Sequence, residues 1–298
     1  MLSDEEIEIL TKMLYNLKKS SNFARFMTIK NGLYRVKSWL KYQLTAWNTG
    51  GEGIHSPYLF EWVRMVMADK NSYYIWGEIE RVREKMLQDE RVLRFVDFGS
   101  GAKEKGEVRE RRVRELAKNS LASKRYAQML SRLVNWLGQK KEGKEGLVVV
   151  ELGTSLGITT AYLAAMDSKN KVVSYEGCEA VANVAKENWK ALNMKNIECR
   201  VGEIDVTKLD EDIERVDVAF IDANHTYVHT CEYFKVLANK VHEKSVIVVD
   251  DIHHSEEMER AWKEICADER VTSTMDLYQM GLVFFDPHYW KRNYIMRL

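Results

Sequence analysis

LVVVELGTSLG, at residues 147–157, gives the clearest indication of fold in this 298-residue chain, because an apolar β-branched run leads straight into a glycine-containing loop. A short run without polar alternation is typical of a strand buried on both faces of a sheet. Similar runs follow at residues 171–175, 197–201, 216–221 and 245–249. Helical stretches lie between them, at about residues 156–166, 178–193, 226–240 and 255–267. This alternation predicts a doubly wound α/β sheet of mainly parallel strands.

Two later apolar runs, at residues 271–277 and 281–285, are too close together for a helical crossover. They should therefore pair antiparallel at one edge of the sheet, which brings the predicted total to seven strands. Upstream, residues 1–125 show mostly helical periodicity, with a proline-started helix at Pro57. We therefore predict a mostly helical N-terminal region over residues 1–125, followed by an α/β domain over residues 126–298.

The charge of the chain is balanced overall but unevenly distributed. There are 45 Lys and Arg residues and 45 Asp and Glu residues, yet residues 1–150 carry a net charge of +9 and residues 151–298 a net charge of −9. No apolar run approaches the roughly 20 residues that cross a bilayer, and the acidic N-terminus lacks the features of a signal peptide. The four cysteines have no C-x-x-C spacing, which argues against a zinc site or a disulfide framework. We expect a soluble, cytoplasmic protein without a membrane partner.

The loops at the carboxyl ends of the strands are the place to look for a ligand, because open α/β sheets bind ligands there. The first such loop contains Gly153 and Gly157, which should let the backbone approach a ligand, and the helix that follows offers free N–H donors. The second strand ends in Glu176, about 25 residues after Glu151, where a carboxylate can accept two hydrogen bonds from a ribose. This arrangement predicts a nucleoside-bearing cofactor.

The spacing of the glycines indicates which nucleoside is bound. A dinucleotide site needs G-x-G-x-x-G to hold a pyrophosphate, whereas the glycines here follow G-x-x-x-G. Glu151 would repel a phosphate but suits an ammonium group. S-adenosylmethionine (SAM) has an ammonium group, a sulfonium and a ribose, and it has no phosphate. SAM therefore fits the loop better than a dinucleotide does.

At this point residues 126–298 resemble the class I SAM-dependent methyltransferases, whose acidic-x-Gly loop and acidic second strand end match Glu151, Gly153 and Glu176. Ser155 stands where the commonest family loop has its middle glycine. The resemblance implies a Rossmann-like domain, and the turn around Gly202 is similar to the family's adenine-binding turn. The predicted cofactor contacts are Glu151, Gly153, Thr154, Ser155, Gly157, Glu176, Gly177, Gly202, Glu203 and Asp222.

Three acidic residues close the fourth and fifth strands of this domain, namely Asp222 and the pair Asp250 and Asp251. Carboxylates that converge are costly unless a cation neutralises them, and oxygen ligands suit Mg²⁺ or Ca²⁺. The arrangement is similar to metal-dependent O-methyltransferases of the catechol and macrolide-sugar types. That resemblance implies that Asp222, Asp250 and Asp251 are the ligands of Mg²⁺ or another divalent cation. The alternative is that these residues cap helices or orient SAM without a metal.

Histidines flank the same acids, and a histidine there could act as general base because its ordinary pKa is close to neutral pH. We predict Asp222 and His225 as catalytic residues, with His254 as the next candidate. The alternative for each histidine is a loop hydrogen bond. His225 and His229 also have the i, i+4 spacing of a transition-metal pair, but no third ligand has a defined spacing.

The prediction of the methyl acceptor depends mainly on motifs that the sequence lacks. The only prolines are Pro57 and Pro287, so the Asn/Asp-Pro-Pro-aromatic motif of amino methyltransferases acting on nucleic-acid bases is missing. Residues 11–50 hold eight Lys or Arg, no acid and seven interleaved aromatic residues, which allows RNA binding. At helical spacing such aromatics are more often core residues. A lid over the SAM site or a homodimer contact is another use for this segment.

We therefore predict a SAM-dependent O-methyltransferase that acts on a small hydroxylated molecule, with the N-terminal region contributing to the acceptor pocket. An RNA methyltransferase and a SAM-binding protein without turnover are the alternatives. The run FVDFGSG at residues 95–101 imitates the cofactor loop but has no acidic second strand after it. We interpret it as a turn in the N-terminal region, with the alternative that it borders the active site.

Overall fold

The computed structural model describes residues 32–46, 53–54, 56–96, 108–288 and 291–298. The N-terminal part begins with helix α1 (Gly32–Thr45) and helix α2 (Pro57–Trp62), which continues into a π-helical turn (Val63–Met67). Ser56 caps α2, because its side chain accepts a hydrogen bond from the Leu59 N–H, and Pro57 takes the first helical position as predicted. The remaining elements of this part are α3 (Tyr74–Gln88), β1 (Val92–Val96), β2 (Val108–Arg112), α4 (Val113–Ser120) and α5 (Lys124–Lys140).

The rest of the described chain alternates strands and helices. The strands are β3 (Val148–Leu152), β4 (Lys171–Glu176), β5 (Ile197–Val201), β6 (Val216–Ile221), β7 (Val241–Asp250), β8 (Ser273–Asp276), β9 (Met280–Phe284) and β10 (Arg292–Ile295). The helices are α6 (Ile158–Ala164), α7 (Glu179–Ala191), α8 (Val206–Asp212), α9 (Tyr227–Ala238) and α10 (Glu256–Ala267). All five predicted parallel strands are present, within a few residues of their expected bounds.

The central sheet has the strand order β10-β8-β9-β7-β6-β3-β4-β5. It is therefore eight-stranded, and the prediction of seven strands is corrected by β10, which pairs parallel with β8. β8 and β9 pair antiparallel, as expected. The antiparallel strand is not at the edge of the sheet, because β9 lies between β8 and β7 and runs antiparallel to both. β10 gave no signal in the sequence, because it is four residues long and two of them are polar and exposed.

Two hydrophobic clusters cover the two faces of this sheet, as a doubly wound fold requires. Val149 and Phe220 point to one face and pack against helices α2, α5 and α6. Val150 and Ile221 point to the other face and pack against helices α8, α9 and α10. The helices on both faces leave the loops at the carboxyl ends of the strands as the open edge of the sheet.

The N-terminal elements pack directly on the α/β domain. Trp62, in α2, meets the ring of Phe284 edge-on, with 5.8 Å between ring centroids. The Trp76 indole N–H, in α3, donates to the Ser131 hydroxyl at 3.0 Å. Tyr162, in α6, donates its hydroxyl proton to Glu80 at 2.8 Å. Residues on both sides of position 125 thus share buried contacts.

Separately, β1 and β2 form an antiparallel pair outside the main sheet. Phe95 and Val96 end β1, and the remainder of the 95–101 run lies outside the described residues. Of the basic segment 11–50, the structure describes only residues 32–46. None of the helices in the described part of the chain combines the length and apolar character that a bilayer crossing needs.

Candidate functional site

Backbone strain marks one edge of the sheet. Six non-glycine residues among those described have positive φ, and five of them follow the carboxyl ends of parallel strands. Those five are Ser155 after β3, Asn224 and His225 after β6, Asp251 after β7 and Tyr278 after β8. Left-handed backbone costs free energy in residues other than glycine and clusters at functional sites. This edge, where ligands bind in open α/β sheets, is therefore the candidate site.

Glu151 is a buried carboxyl group at the base of this edge, with no exposed surface. Its Oε2 accepts hydrogen bonds from the hydroxyls of Thr160 and Ser174, but its Oε1 has no partner within the described residues. Burial raises the pKa of Glu151 to about 8, although the two hydroxyl donors oppose the shift. An unpaired buried carboxylate oxygen is unfavourable by itself, so this atom is suited to a donor from a bound ligand.

Thr154 belongs to the same internal network. Its hydroxyl lies 2.5 Å from that of Ser174, and its side chain is almost fully buried. The N–H groups of Gly153 and Thr154 donate to the Tyr175 carbonyl, at 3.0 and 3.1 Å. The side chain of Thr154 thus faces the protein interior. The N–H groups of Gly153 and Thr154 are therefore both used within the protein.

The two loop glycines are required by packing within the protein. A Cβ atom on Gly153 would lie 2.2 Å from the Asp222 carbonyl oxygen, and one on Gly157 would lie 2.6 Å from the Trp189 indole nitrogen. Both glycines have positive φ, so they allow the loop to pack closely on neighbouring protein atoms. Gly202 differs, because a Cβ there would meet nothing within 4 Å. Open space therefore lies beside Gly202, at the predicted adenine turn, where Glu203 is exposed.

Glu176 closes β4 as predicted and joins two loops. Its carboxylate accepts hydrogen bonds from the backbone N–H of Ser155 at 2.8 Å and of Cys178 at 2.9 Å. Burial raises the pKa of Glu176, while these donors and the Gly177 backbone oppose the shift. Each carboxylate oxygen can accept more than one hydrogen bond. Glu176 is therefore positioned to receive ribose hydroxyls beside the β3 loop.

Asp222 and Asp250 form a close pair of carboxyl groups after β6 and at the end of β7. The two side chains lie within hydrogen-bonding reach of each other, and Asp250 Oδ1 has no other partner in the described residues. Burial and the mutual repulsion of these carboxylates, with Asp251 nearby, raise the pKa of both Asp222 and Asp250. Among the described residues no Lys or Arg side chain pairs with either carboxyl group, so a cationic ligand would stabilise their ionised forms.

His225 and His254 lie beside this pair, and each is close to a carboxylate. His225 Nε2 is 3.4 Å from Asp222 Oδ1, and His254 Nδ1 is 3.5 Å from Asp251 Oδ2. The two imidazole rings face each other, with 6.2 Å between centroids. The structure thus brings the predicted catalytic residues Asp222, His225 and His254 together.

The predicted metal site is not formed. In the ranges that the structure describes, no three His, Cys, Asp or Glu side chains are grouped so that they could hold a metal ion. Asp251 has left-handed backbone, and its Oδ2 lies 3.5 Å from His254 Nδ1. His229 Nδ1 lies 2.8 Å from the Thr226 hydroxyl at the start of α9.

Several neighbours of the site gave no distinct signal in the sequence. The Ser120 hydroxyl, at the end of α4, lies 2.8 Å from that of Ser155 in the cofactor loop. Asp276 binds His253 Nε2 at 2.7 Å, and the His253 ring stacks on Tyr278. Residues 120 and 276 are far from the motifs in the sequence, so only the folded chain shows that they adjoin this edge.

Comparison with known proteins agrees with this geometry. Residues 150–252 match a family model described as a methyltransferase domain. The fold is similar to that of a methyltransferase from Podospora anserina bound to S-adenosylhomocysteine, with 14% identity, a TM-score of 0.53 and coverage of 78% of this chain and 99% of that chain. It is also similar to a provisionally assigned O-methyltransferase from Klebsiella pneumoniae, with 15% identity, a TM-score of 0.50 and coverage of 75% and 94%. No curated relative matches the chain.

Proposed function

We propose that this chain, which carries a methyltransferase domain on the fold of the class I SAM-dependent methyltransferases, methylates a hydroxyl group of a small molecule. The proposal rests mainly on the buried Glu151 of β3. Its Oε1 has no hydrogen-bond donor among the described residues. An ammonium group would supply that donor. Glu176 and the open space beside Gly202 are the corresponding places for a ribose and an adenine.

The residues after β6 and β7 account for the reaction. Bound SAM supplies a methyl group on a positively charged sulfur. That positive charge suits the unneutralised carboxyl groups of Asp222 and Asp250, so the donor itself provides the cation that this edge favours. His225 takes the proton of the acceptor hydroxyl as general base, and Asp222, at 3.4 Å, stabilises the imidazolium that forms.

The test is a titration of SAM and S-adenosylhomocysteine into the full chain by calorimetry. We expect Glu151→Gln to weaken SAM binding by about 10-fold or more, because a neutral amide loses the charge-assisted contact with the ammonium group. Glu61→Gln, on the surface of α2, is the matched control and should bind as the wild type does. Equal SAM affinity in wild type and Glu151→Gln would contradict the assignment of Glu151.

Binding alone does not separate an enzyme from a SAM-binding protein without turnover. A screen of hydroxylated acceptors with methyl-labelled SAM makes that distinction, because only an enzyme transfers the label. We expect His225→Ala to bind SAM normally and to lose transfer. If no acceptor takes the label in the wild type, the sensor interpretation gains support.

RNA is the second acceptor class, and the structure gives one observation against it. In the described part of the basic segment, Tyr34 donates its hydroxyl proton to Glu259, and Tyr42 is buried and bonds the Met296 carbonyl. These two rings are therefore occupied by the protein and are not free to stack on bases. RNA binding whose affinity falls steeply with salt concentration would favour the RNA interpretation instead.

A further inference from the structure

A cavity opens at the amino ends of the parallel strands, on the edge of the sheet opposite the candidate site. Its volume of about 520 Å³ is in the range of small-molecule sites. It is lined by Leu147, Arg215 and His242, which lie at or next to the amino ends of β3, β6 and β7. Tyr58 of α2 and Leu137 of α5 also line it. The cavity therefore lies between the N-terminal helices and the amino edge of the sheet.

Strand β6 measures the separation between this cavity and the candidate site. Asp217, the second residue of β6, lines the cavity, and Asp222 follows the last residue of the strand. Five residues of extended chain span about 16 Å, at roughly 3.3 Å per residue. A small molecule held at the amino edge does not reach Asp222 or His225. The cavity is therefore separate from the place where methyl transfer is proposed.

Three basic side chains of the lining share one carboxylate, that of Asp217. Arg215 Nη2 lies 2.8 Å from Asp217 Oδ2, and His242 Nε2 lies 3.0 Å from Oδ1. The Lys141 ammonium group lies 3.6 Å from Oδ2. Asp217 also accepts from the Val148 N–H, at 2.7 Å. One carboxylate cannot neutralise all of these groups, so the amino edge has an excess of donors and of positive charge.

The rest of the lining adds to this excess. Lys244 is exposed at β7, and no ion pair joins it to a carboxylate of the described residues. Lys140 pairs with Glu61 at 2.8 Å, so its charge is already balanced. Glu142 is the one other acid that lines the cavity. Basic side chains thus outnumber acidic ones, and the cavity favours an anionic ligand.

One donor of this group lacks an acceptor. Arg215 Nε is buried and has no hydrogen-bond partner among the described residues, although Nη2 of the same guanidinium is bound to Asp217. A buried N–H without an acceptor is unfavourable. The oxygen of an anion would satisfy it, and a guanidinium presents its N–H groups in the geometry that phosphate and carboxylate groups accept.

The apolar part of the lining indicates what else the ligand carries. Leu137 and Leu147 are buried, and the Tyr58 ring packs against Trp136, with 4.8 Å between ring centroids. This contact fixes an aromatic ring in the same cavity as the basic groups. Aromatic side chains stack on planar rings, including those of nucleobases. The ligand that suits this lining has a planar ring at one end and an anionic group at the other.

We propose that this cavity binds an organic phosphate with a planar ring, of the size of a nucleoside monophosphate. The phosphate accepts from Arg215 and Lys244, and the ring packs on Tyr58. A phosphate suits several donors better than a carboxylate does, because it carries about two negative charges and three acceptor oxygens. This site does not depend on the proposed methyl transfer, since none of its residues belongs to the SAM or acceptor contacts.

The experiment is a calorimetric titration of the full chain with three probes, in excess S-adenosylhomocysteine so that the proposed SAM site is occupied. The probes are uridine 5′-monophosphate, uridine, which lacks the phosphate, and ribose 5-phosphate, which lacks the ring. We expect the nucleotide to bind about 10-fold or more tightly than uridine and about threefold or more tightly than ribose 5-phosphate. A nucleotide that binds no better than uridine, or that does not bind, would refute the site. Equal binding of ribose 5-phosphate would overturn the role of Tyr58.

Variants locate the bound nucleotide. Lys244→Gln should weaken its binding by about fivefold or more, whereas Lys244→Arg should keep it, because the charge is retained. The matched control is Lys186→Gln, an exposed lysine of α7 outside the cavity, which should bind as the wild type does.

Arg215→Gln removes the buried Nε–H and should weaken binding by about 10-fold or more. Arg215 also pairs with Asp217, so urea denaturation is used to check that this variant folds. If it does not fold, Lys244→Gln decides the test. Wild-type affinity in the folded Lys244→Gln protein would place the nucleotide elsewhere and overturn the proposal, and it would leave the proposed methyl transfer unaffected.

Discussion

The two ends of strand β6 carry aspartates in opposite electrostatic environments. Asp217, at the amino end, accepts from the Val148 N–H at 2.7 Å, from Arg215 at 2.8 Å and from His242 at 3.0 Å. These donors, with Lys141 nearby, hold the pKa of Asp217 well below its usual range despite its burial. Asp222, just past the carboxyl end, has Asp250 and Asp251 as neighbours, and its pKa is raised.

This difference distinguishes residues that stabilise the fold from residues whose polar groups a ligand would satisfy. At the amino end Asp217 has Arg215, Lys141 and His242 beside it, so its charge is neutralised without any other molecule. At the carboxyl end the buried carboxyl groups lack cations, and oxygen atoms of Glu151 and Asp250 lack donors within the described residues. Asp217 and Asp250 are both buried, so burial alone does not distinguish the two ends. Whether a buried carboxyl group has a partner within the protein is the more informative sign of a functional site.

The largest expected effect is on folding, at the amino end. Asp217→Ala leaves the Val148 N–H and the half-exposed Arg215 without their acceptor, so we expect the free energy of unfolding to fall by about 2–3 kcal/mol. Asp210→Ala removes an exposed carboxylate paired with Lys240 and should cost about 1 kcal/mol or less. Urea denaturation of both variants measures the difference. Equal losses would show that the Asp217 cluster is not a stabilising unit.

The corresponding change at the carboxyl end should affect activity instead. We expect Asp222→Asn to lower kcat at least 100-fold, because the amide cannot stabilise an imidazolium on His225. Its free energy of unfolding should stay equal or rise, since one of the mutually repelling carboxyl groups is removed. Labelled-methyl transfer and urea denaturation test the two parts. Unchanged turnover would remove Asp222 from the mechanism.

The pH dependence of stability should also differ between the two ends. The pKa of Glu151 is about 8 in the folded protein and 4.5 in its ordinary state, so the folded chain holds a proton that the unfolded chain releases. Its contribution to stability is complete below pH 4.5 and is lost as the pH rises towards 8, by about 1.4 kcal/mol per pH unit. The depressed pKa of Asp217 acts in the opposite direction, because its contribution is lost as the pH falls below the ordinary range.

Urea denaturation of the ligand-free protein between pH 5 and 8 measures this slope. Glu151→Gln has no titrating group at this position, so its stability should decline less steeply with pH than that of the wild type. Glu61→Gln, which changes an exposed carboxylate, should keep the wild-type slope. A slope that is identical in wild type and Glu151→Gln would mean that Glu151 is ionised in the folded protein.

The smallest effect concerns the contact between the N-terminal region and the cofactor loop. Ser120→Ala removes a single hydroxyl contact with Ser155, so we expect SAM affinity to fall by about two- to fivefold, which corresponds to one neutral hydrogen bond. Ser123→Ala, whose side chain makes no capping hydrogen bond, is the control. An unchanged affinity in Ser120→Ala would show that the loop keeps its conformation without this contact.

The sequence predicted the parallel core of the sheet because those strands are buried on both faces, and burial leaves a visible β-branched run such as VDVAFI at Val216–Ile221. It also predicted which side chains gather at the carboxyl edge, since Glu176, Asp222 and Asp250 each close a strand. The match of residues 150–252 to a model described as a methyltransferase domain agrees with the resemblance that these residues suggested. The roles of the individual site residues stay predictions.

The sequence could not show relations that depend on packing. Gly153 packs against Asp222 after β6, and Gly157 packs against Trp189 of α7. These close contacts cannot be predicted from the sequence of the loop alone. The backbone at Asp251 is left-handed, which nothing in the letters DDIHH indicates. Strand β10 is short and half polar, so its pairing with β8 is visible only in the folded chain.

The hydroxyls of Thr160 and Ser174, held against Glu151 without access to solvent, have a spectroscopic consequence. Their protons should exchange slowly with water and give resolved resonances in nuclear magnetic resonance spectra, where most hydroxyl protons are invisible. A ligand that donates to the other oxygen of Glu151 withdraws electron density from the carboxylate and must displace both resonances. The two hydroxyl resonances should therefore report ligand binding at each point of a titration, without a label and without turnover.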